Sequence, residues 1–120
     1  MIVAGFGFRE GAGADSLRAA LAACGAAPDL LATAAGKENS AGLRGLAEEL
    51  GVPVHAVPPA LLQTQITQTH SPASQAAYGI GSVAEAAALA AAGPGARLIL
   101  ARQISPDRMA TCAMAEGDGH

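Results

Sequence analysis

The chain is 120 residues long, one domain's worth, and alanine supplies 31 of them, so its elements should pack through small side chains. Seven basic against ten acidic residues leave a formal charge of −3, which offers no positive footprint for DNA or RNA. One Tyr, two Phe and no Trp nearly exclude base-stacking platforms and aromatic cages, and the longest apolar run, residues 86–92, is far too short to span a bilayer.

Residues 1–6 are β-favouring and apolar and break into Gly5, Gly7, Gly11 and Gly13, which reads as a buried strand entering a glycine-rich loop. A helix follows, capped by Asp15 or Ser16, with Leu17, Ala20, Leu21 and Cys24 on one face and Gly25 at its end. Residues 30–35 form a second interior strand. Ser40 starts a helix lined by Leu43, Leu46, Ala47 and Leu50, which Gly51 and Pro53 stop. Residues 54–57 alternate as a strand does, and Pro58 and Pro59 suit the first turn of a short helix. Residues 63–77 are polar and are expected to be a mobile loop. Ser82 caps an alanine-rich helix that Gly93 and Pro94 close, with Glu85 as its capping-box partner. Residues 97–105 and 109–115 form a hairpin around Ser105-Pro-Asp-Arg108, and residues 116–120 a frayed tail. The fold class is therefore α/β: a single three-layer α/β/α domain over residues 1–120, with a mixed, mostly parallel sheet of about five strands ending in an antiparallel hairpin.

Three constellations are able to carry chemistry. Gly5-Phe-Gly-Phe-Arg-Glu-Gly11 follows a strand and precedes a helix, where backbone N–H groups meet anions, and Arg9 is placed to hold a carboxylate bidentately. It is not a dinucleotide fingerprint, because Glu10 stands where the third glycine belongs. Thr33-Ala-Ala-Gly-Lys-Glu-Asn-Ser40 again lies at the carboxyl end of an interior strand, where open α/β sheets collect ligands; Lys37 supplies a charge and Glu38 a weak candidate base. It lacks the glycine spacing of a phosphate-binding P-loop. Gly79-Ile-Gly81-Ser82 opens the alanine-rich helix and is a second potential anion site as well as a cap. Of the histidines, His70, beside Ser71 and Pro72 in the polar loop, is the better placed to meet a ligand, and it is the other weak catalytic candidate. Ser71 has no nucleophile elbow. Cys24 and Cys112 show no metal-ligand spacing and read as small hydrophobes, so neither metal nor cofactor is expected.

In their order and spacing, Gly5-Phe-Gly-Phe-Arg-Glu-Gly11, Thr33 with Lys37-Glu38, Glu49-Leu-Gly-Val-Pro53, Ser71-Pro72, Gly81-Ser-Val-Ala-Glu-Ala-Ala-Ala-Leu89 and Thr111-Cys-Ala-Met-Ala115 resemble the CobE/CbiG C-terminal family of cobalamin biosynthesis across almost the whole chain. With no CbiG-type N-terminal portion, the resemblance is to the stand-alone CobE branch of the aerobic pathway. It implies a three-layer α/β domain acting near corrin ring contraction; CbiG-type relatives open a ring lactone. The start of the chain does not read as a secretory signal and no apolar run could span a bilayer, so a cytoplasmic protein is the expectation. The family loop often reads Gly-x-Gly-Cys-Arg, and Phe8 stands at the Cys position here, so no thiol is available; a Lys common in the late strand is Arg102.

Precorrin and corrin intermediates carry several acetate and propionate groups, so a site for them needs dispersed cations and backbone donors around an apolar surface. Gly5, Gly7, Arg9, Gly11, Thr33, Lys37, Ser71, Gly81, Ser82 and Arg102 are the expected ligand-binding residues. The leading expectation is a protein that binds or handles such an intermediate. The alternatives are a hydrolase opening a ring lactone, with Glu38 or His70 activating water, and an accessory subunit docking on other cobalamin-biosynthesis enzymes.

Overall fold

A computed structural model describes residues 1–118. Its elements run β1 (Ile2–Phe8), α1 (Ala14–Cys24), β2 (Leu30–Ala34), α2 (Ala41–Leu50), β3 (Val54–Val57), α3 (Pro59–Gln63), α4 (Pro72–Tyr78), α5 (Val83–Ala92), β4 (Arg97–Ile104) and β5 (Ala110–Glu116). The five strands form one sheet in the order β3-β2-β1-β5-β4. β1, β2 and β3 pair in parallel, and β5 is antiparallel to both β1 and β4, so four of the five strands point the same way.

Both faces of the sheet are covered, which is why β1 and β2 read as unbroken apolar runs rather than as alternating ones. The period of two still sorts the side chains. Ala4 and Phe6 of β1 and Cys112 and Met114 of β5 face α1 and α2, packing with Leu17, Leu21, Leu31, Leu43 and Leu46. Val3 and Ala115 face the other way, toward α5, with Val57, Leu62 and Ile80. The two cores differ in grain: leucines and Phe6 fill one, alanines the other.

The alanines have a specific reason. α5 is buried almost all round, with Ala84, Ala86, Ala87, Ala88 and Ala92 inaccessible to solvent. Its backbone lies so close to the sheet that a Cβ on Gly5 would stand 2.1 Å from the Ala84 carbonyl oxygen and 2.6 Å from the Ala88 nitrogen. Gly5 is thus a packing glycine inside β1, not part of a loop; the expected glycine-rich loop begins after Phe8.

Three further expectations are corrected. Residues 63–77 are not one loop: Pro72–Tyr78 is helical, with Ser71 at its N-cap accepting a hydrogen bond from the Ser74 amide at 3.3 Å. Proline at the first helical position and a serine cap outweigh the polar composition. The frayed tail begins later than expected, because Glu116 closes β5 against Ile2 and Arg97, and the Gly117 carbonyl accepts from the Met1 ammonium at 2.9 Å; residues 119 and 120 of that expected tail lie outside the described residues. Finally, α1 is capped by Gly13 without a side-chain bond, since the Ser16 hydroxyl is turned to Asp107. The two cysteines, 88 positions apart, meet: the Cys24 thiol lies 3.5 Å from the Cys112 carbonyl oxygen.

Candidate functional site

A cleft of about 530 Å³ opens at the carboxyl ends of β1 and β2, the edge where parallel α/β sheets place ligands. Gly7, Phe8, Thr33 and Ala34 form its floor. The β4–β5 hairpin supplies one wall through Arg102, Ile104 and Arg108–Thr111, and the segment from His70 to Tyr78 supplies the other.

Among the described residues four cations line this cleft, Arg9, Lys37, Arg102 and Arg108, and no Asp or Glu does. The chain's remaining three basic residues are all engaged elsewhere. Arg18 pairs with Asp15 and Glu49, Arg97 with Glu116, and Arg44 donates to the Asn39 side chain at 2.8 Å. An acidic chain therefore gathers four of its seven basic residues into one place.

Each cation is held by a distinct device. The Arg9 amide donates to the Met109 carbonyl at 2.9 Å, tying the end of β1 to the hairpin. Lys37 donates to the Phe8 carbonyl at 2.9 Å and lies 4.8 Å from the centre of the Phe8 ring. Arg108 sits in the left-handed region with φ 61°, at a cost of about 1–2 kcal/mol for a residue with a Cβ. Asp107 holds that turn by accepting from the Ser105 hydroxyl at 2.6 Å, the Met109 amide at 3.0 Å and the Ser16 hydroxyl. These bonds, from Ser105 first and then Ser16, hold the Asp107 carboxyl below its usual range. Arg102 occupies an irregular stretch of β4, where the register against β5 shifts twice between Leu98 and Gln103.

Beneath Arg102 lies Glu85, fully buried in the first turn of α5. Its carboxylate accepts from the Gln68 amide at 2.6 Å, the Thr69 amide at 3.1 Å, the Thr69 hydroxyl at 2.8 Å and the Arg102 amide at 2.9 Å. Burial acts to raise its pKa, but the bonds from Arg102, Thr69 and Gln68 outweigh it and hold Glu85 below the ordinary glutamate value. Only half of the expected capping box is present: Ser82 accepts from the Glu85 amide at 3.2 Å, while the Glu85 side chain turns away from the helix end.

Of the residues singled out in the sequence, Gly7, Arg9, Thr33, Lys37, His70, Ser71 and Arg102 meet in the cleft. Thr33 spends its hydroxyl proton on the Phe6 carbonyl at 2.9 Å. Gly5, Gly11, Gly81, Ser82 and Glu38 do not line it. Gly5 lies under α5. Gly81 seats the segment before α4, where a Cβ would stand 2.5 Å from the His70 ring and from the Thr67 hydroxyl, and Ser82 is the buried cap of α5. Gly11 borders a neighbouring hollow on the far side of Phe8 and Lys37. Glu38 bonds back to the Gly36 amide at 2.6 Å, and backbone hydrogen bonds, its own N–H first, hold its carboxyl down, the wrong direction for a general base. Arg108, Met109, Thr111 and Tyr78 were missed. The Ser-Pro-Asp turn was the available signal for Arg108, since it fixes where the next side chain points. No group of His, Cys, Asp and Glu among the described residues has the arrangement of a metal site.

Residues 2–115 match the family model for the cobalamin synthesis G C-terminus. The chain belongs to that family. Among solved structures, this CobE/CbiG-type domain is similar to CobE, a protein from the cobalamin (vitamin B12) biosynthetic pathway, with 38% identity, a TM-score of 0.86, and coverage of 96% of this chain and 92% of that one. It is also similar to the cobalamin biosynthesis protein chiG of Agrobacterium tumefaciens, with 35% identity, a TM-score of 0.74, and coverage of 98% and 99%. A cobalamin biosynthesis protein G homolog from Sulfolobus solfataricus shares the fold, at 20% identity and a TM-score of 0.72, over 98% of this chain and 37% of that one. No curated protein matches the chain. The protein is thus a cobalamin biosynthesis protein of the CobE/CbiG type. No helix among the described residues is long and apolar enough to cross a membrane.

Proposed function

We propose that the cleft binds a precorrin or corrin intermediate near ring contraction in the aerobic pathway and hands it on unchanged. The observation that carries this reading is the set of four cations, Arg9, Lys37, Arg102 and Arg108, lining one cleft with no carboxylate among them. Arginine forks suit acetate and propionate groups, and Phe8, Tyr78, Val83, Ile104 and Met109 give a macrocycle an apolar bed between the charges. A carrier fits better than a hydrolase. A hydrolase needs a base at the ligand, and Glu38 lies outside the cleft with backbone hydrogen bonds holding its carboxyl below the ordinary glutamate value, leaving His70 on an exposed lip.

The test is an absorbance titration of the purified protein against precorrin and corrin intermediates, with mass analysis of the recovered ligand. Micromolar or tighter binding with the mass unchanged is the expected result. A lactone-opened product would replace the carrier by a hydrolase, and absence of both binding and turnover would favour a subunit that docks on another enzyme of the pathway.

A further inference from the structure

Outside the cleft lining, the most heavily committed ionisable group is Glu85. It is fully buried, it pairs with no cation among the described residues, and its four side-chain bonds go to two segments remote from one another in sequence, residues 68–69 and Arg102. Both segments lead directly into the cleft lining, the first through His70 and Ser71 and the second through Arg102. The β4 irregularity frees the Arg102 amide from the ladder, and Glu85 takes it. The lip has a second anchor that does not involve the carboxylate: the Ser71 amide donates to the Gly81 carbonyl at 2.6 Å.

We infer that Glu85 is the positioning residue of the cleft, a buried anion that bolts the 67–71 lip and the Arg102 segment of β4 to α5 and so sets the spacing of the two walls across the ligand. This rests on the proposed reading for its ligand, but not for its mechanics. The ionised carboxylate suits this place because three backbone N–H groups and the Thr69 hydroxyl all donate to it. One oxygen faces the Gln68 and Thr69 amides, and the other faces the Thr69 hydroxyl and the Arg102 amide. A glutamine offers one acceptor and one NH2 group, and whichever way it is turned the NH2 meets a backbone N–H. Either the lip or Arg102 is then released.

The experiment compares wild type, Glu85→Gln, Arg102→Ala and the double variant by two readouts. The first is amide hydrogen exchange; the second is fluorescence titration with uroporphyrin, a tetrapyrrole carrying an acetate and a propionate on every pyrrole, at a temperature where all four are folded. Glu85→Gln should speed exchange at residues 67–71 or at Arg102 while β1 and the rest of α5 stay protected. It should also weaken uroporphyrin binding about tenfold, the effect of losing one charge-assisted contact. The double variant should bind better than the product of the two single losses allows, because part of the Glu85 effect passes through Arg102. Unchanged local exchange in Glu85→Gln, or strictly multiplicative losses, would overturn the inference. If Glu85→Gln does not fold, Thr69→Val, which removes only the hydroxyl bond, takes its place with the same expectation at residues 67–71; undisturbed exchange there counts against the bolt. Failure of wild type itself to bind uroporphyrin would count against the ligand reading alone, since the exchange readout needs no ligand.

Discussion

The Lys37 ammonium lies 4.8 Å from the centre of the Phe8 ring and donates to the Phe8 carbonyl oxygen at 2.9 Å, so one residue of β1 fixes it from two directions. Lys37→Met keeps the alkyl stem and removes the charge. It should weaken binding of a carboxylated tetrapyrrole by about 1–3 kcal/mol, the scale of a charge-assisted hydrogen bond, while shifting unfolding by less than about 1 kcal/mol. Titration and thermal denaturation of the same sample separate the two effects. A loss of stability equal to the loss of affinity would show that Lys37 serves the fold instead.

Arg108 predicts effects of opposite sign. Its φ of 61° is one that glycine adopts without penalty, so Arg108→Gly should leave stability unchanged or raise it by up to about 1 kcal/mol. The same change removes a cation from the cleft and should weaken uroporphyrin binding and reduce its sensitivity to salt. Denaturant unfolding and titrations at two ionic strengths check both halves.

Gly5→Ala tests the sheet–helix contact. With the new Cβ 2.1 Å from the Ala84 carbonyl oxygen, α5 must lift from β1, at a cost of about 1–3 kcal/mol or more. Chemical denaturation should record the full loss. A wild-type midpoint would show that α5 lifts from β1 without cost.

The pH dependence of stability follows from Glu85. Its pKa in the folded protein is depressed, because hydrogen bonds from Arg102, Thr69 and Gln68 overcome the opposing effect of burial. The stabilisation is therefore complete above the unfolded glutamate value of about 4.3 and is lost as pH falls through the lower folded value. Wild type should show this loss on acidification, and Glu85→Gln, already lacking it, should show a shallower acid limb in denaturation curves collected from neutral pH downward.

Much of this was legible in the sequence. The strands and helices with strong periodicity, such as Leu17 to Cys24 and Leu43 to Ala47, fall where their spacing places them; Arg9 and Lys37 are legible as cations at strand ends, and Arg102 as a cation within the late strand. The failures share a cause. Glycine after a strand reads as a loop and glycine before a helix as an anion site, yet Gly5 and Gly81 are glycines because another segment presses on them, which only the tertiary structure reveals. Likewise the polar stretch around Thr67 and Thr69 carries no apolar signal because its anchor is a buried carboxylate 16 or more residues away. Arg108 was missed because its place depends on the Asp107 bonds and not on any periodicity.

The pairing of β1 with β5 bears on how the molecule is made. Ile2 lies opposite Glu116 and Phe8 opposite Ala110, so an interior ladder of the sheet joins segments more than 100 residues apart. During synthesis β1 acquires β2 as a neighbour early, but its other edge stays open until residues 110–116 leave the ribosome. Such non-local closure is slow compared with local helix formation. Two of the four cleft cations, Arg102 and Arg108, arrive with that last stretch. A nascent chain therefore exposes an unpaired strand edge but has no finished ligand cleft, and the charge cluster comes into being in the same step that completes the sheet.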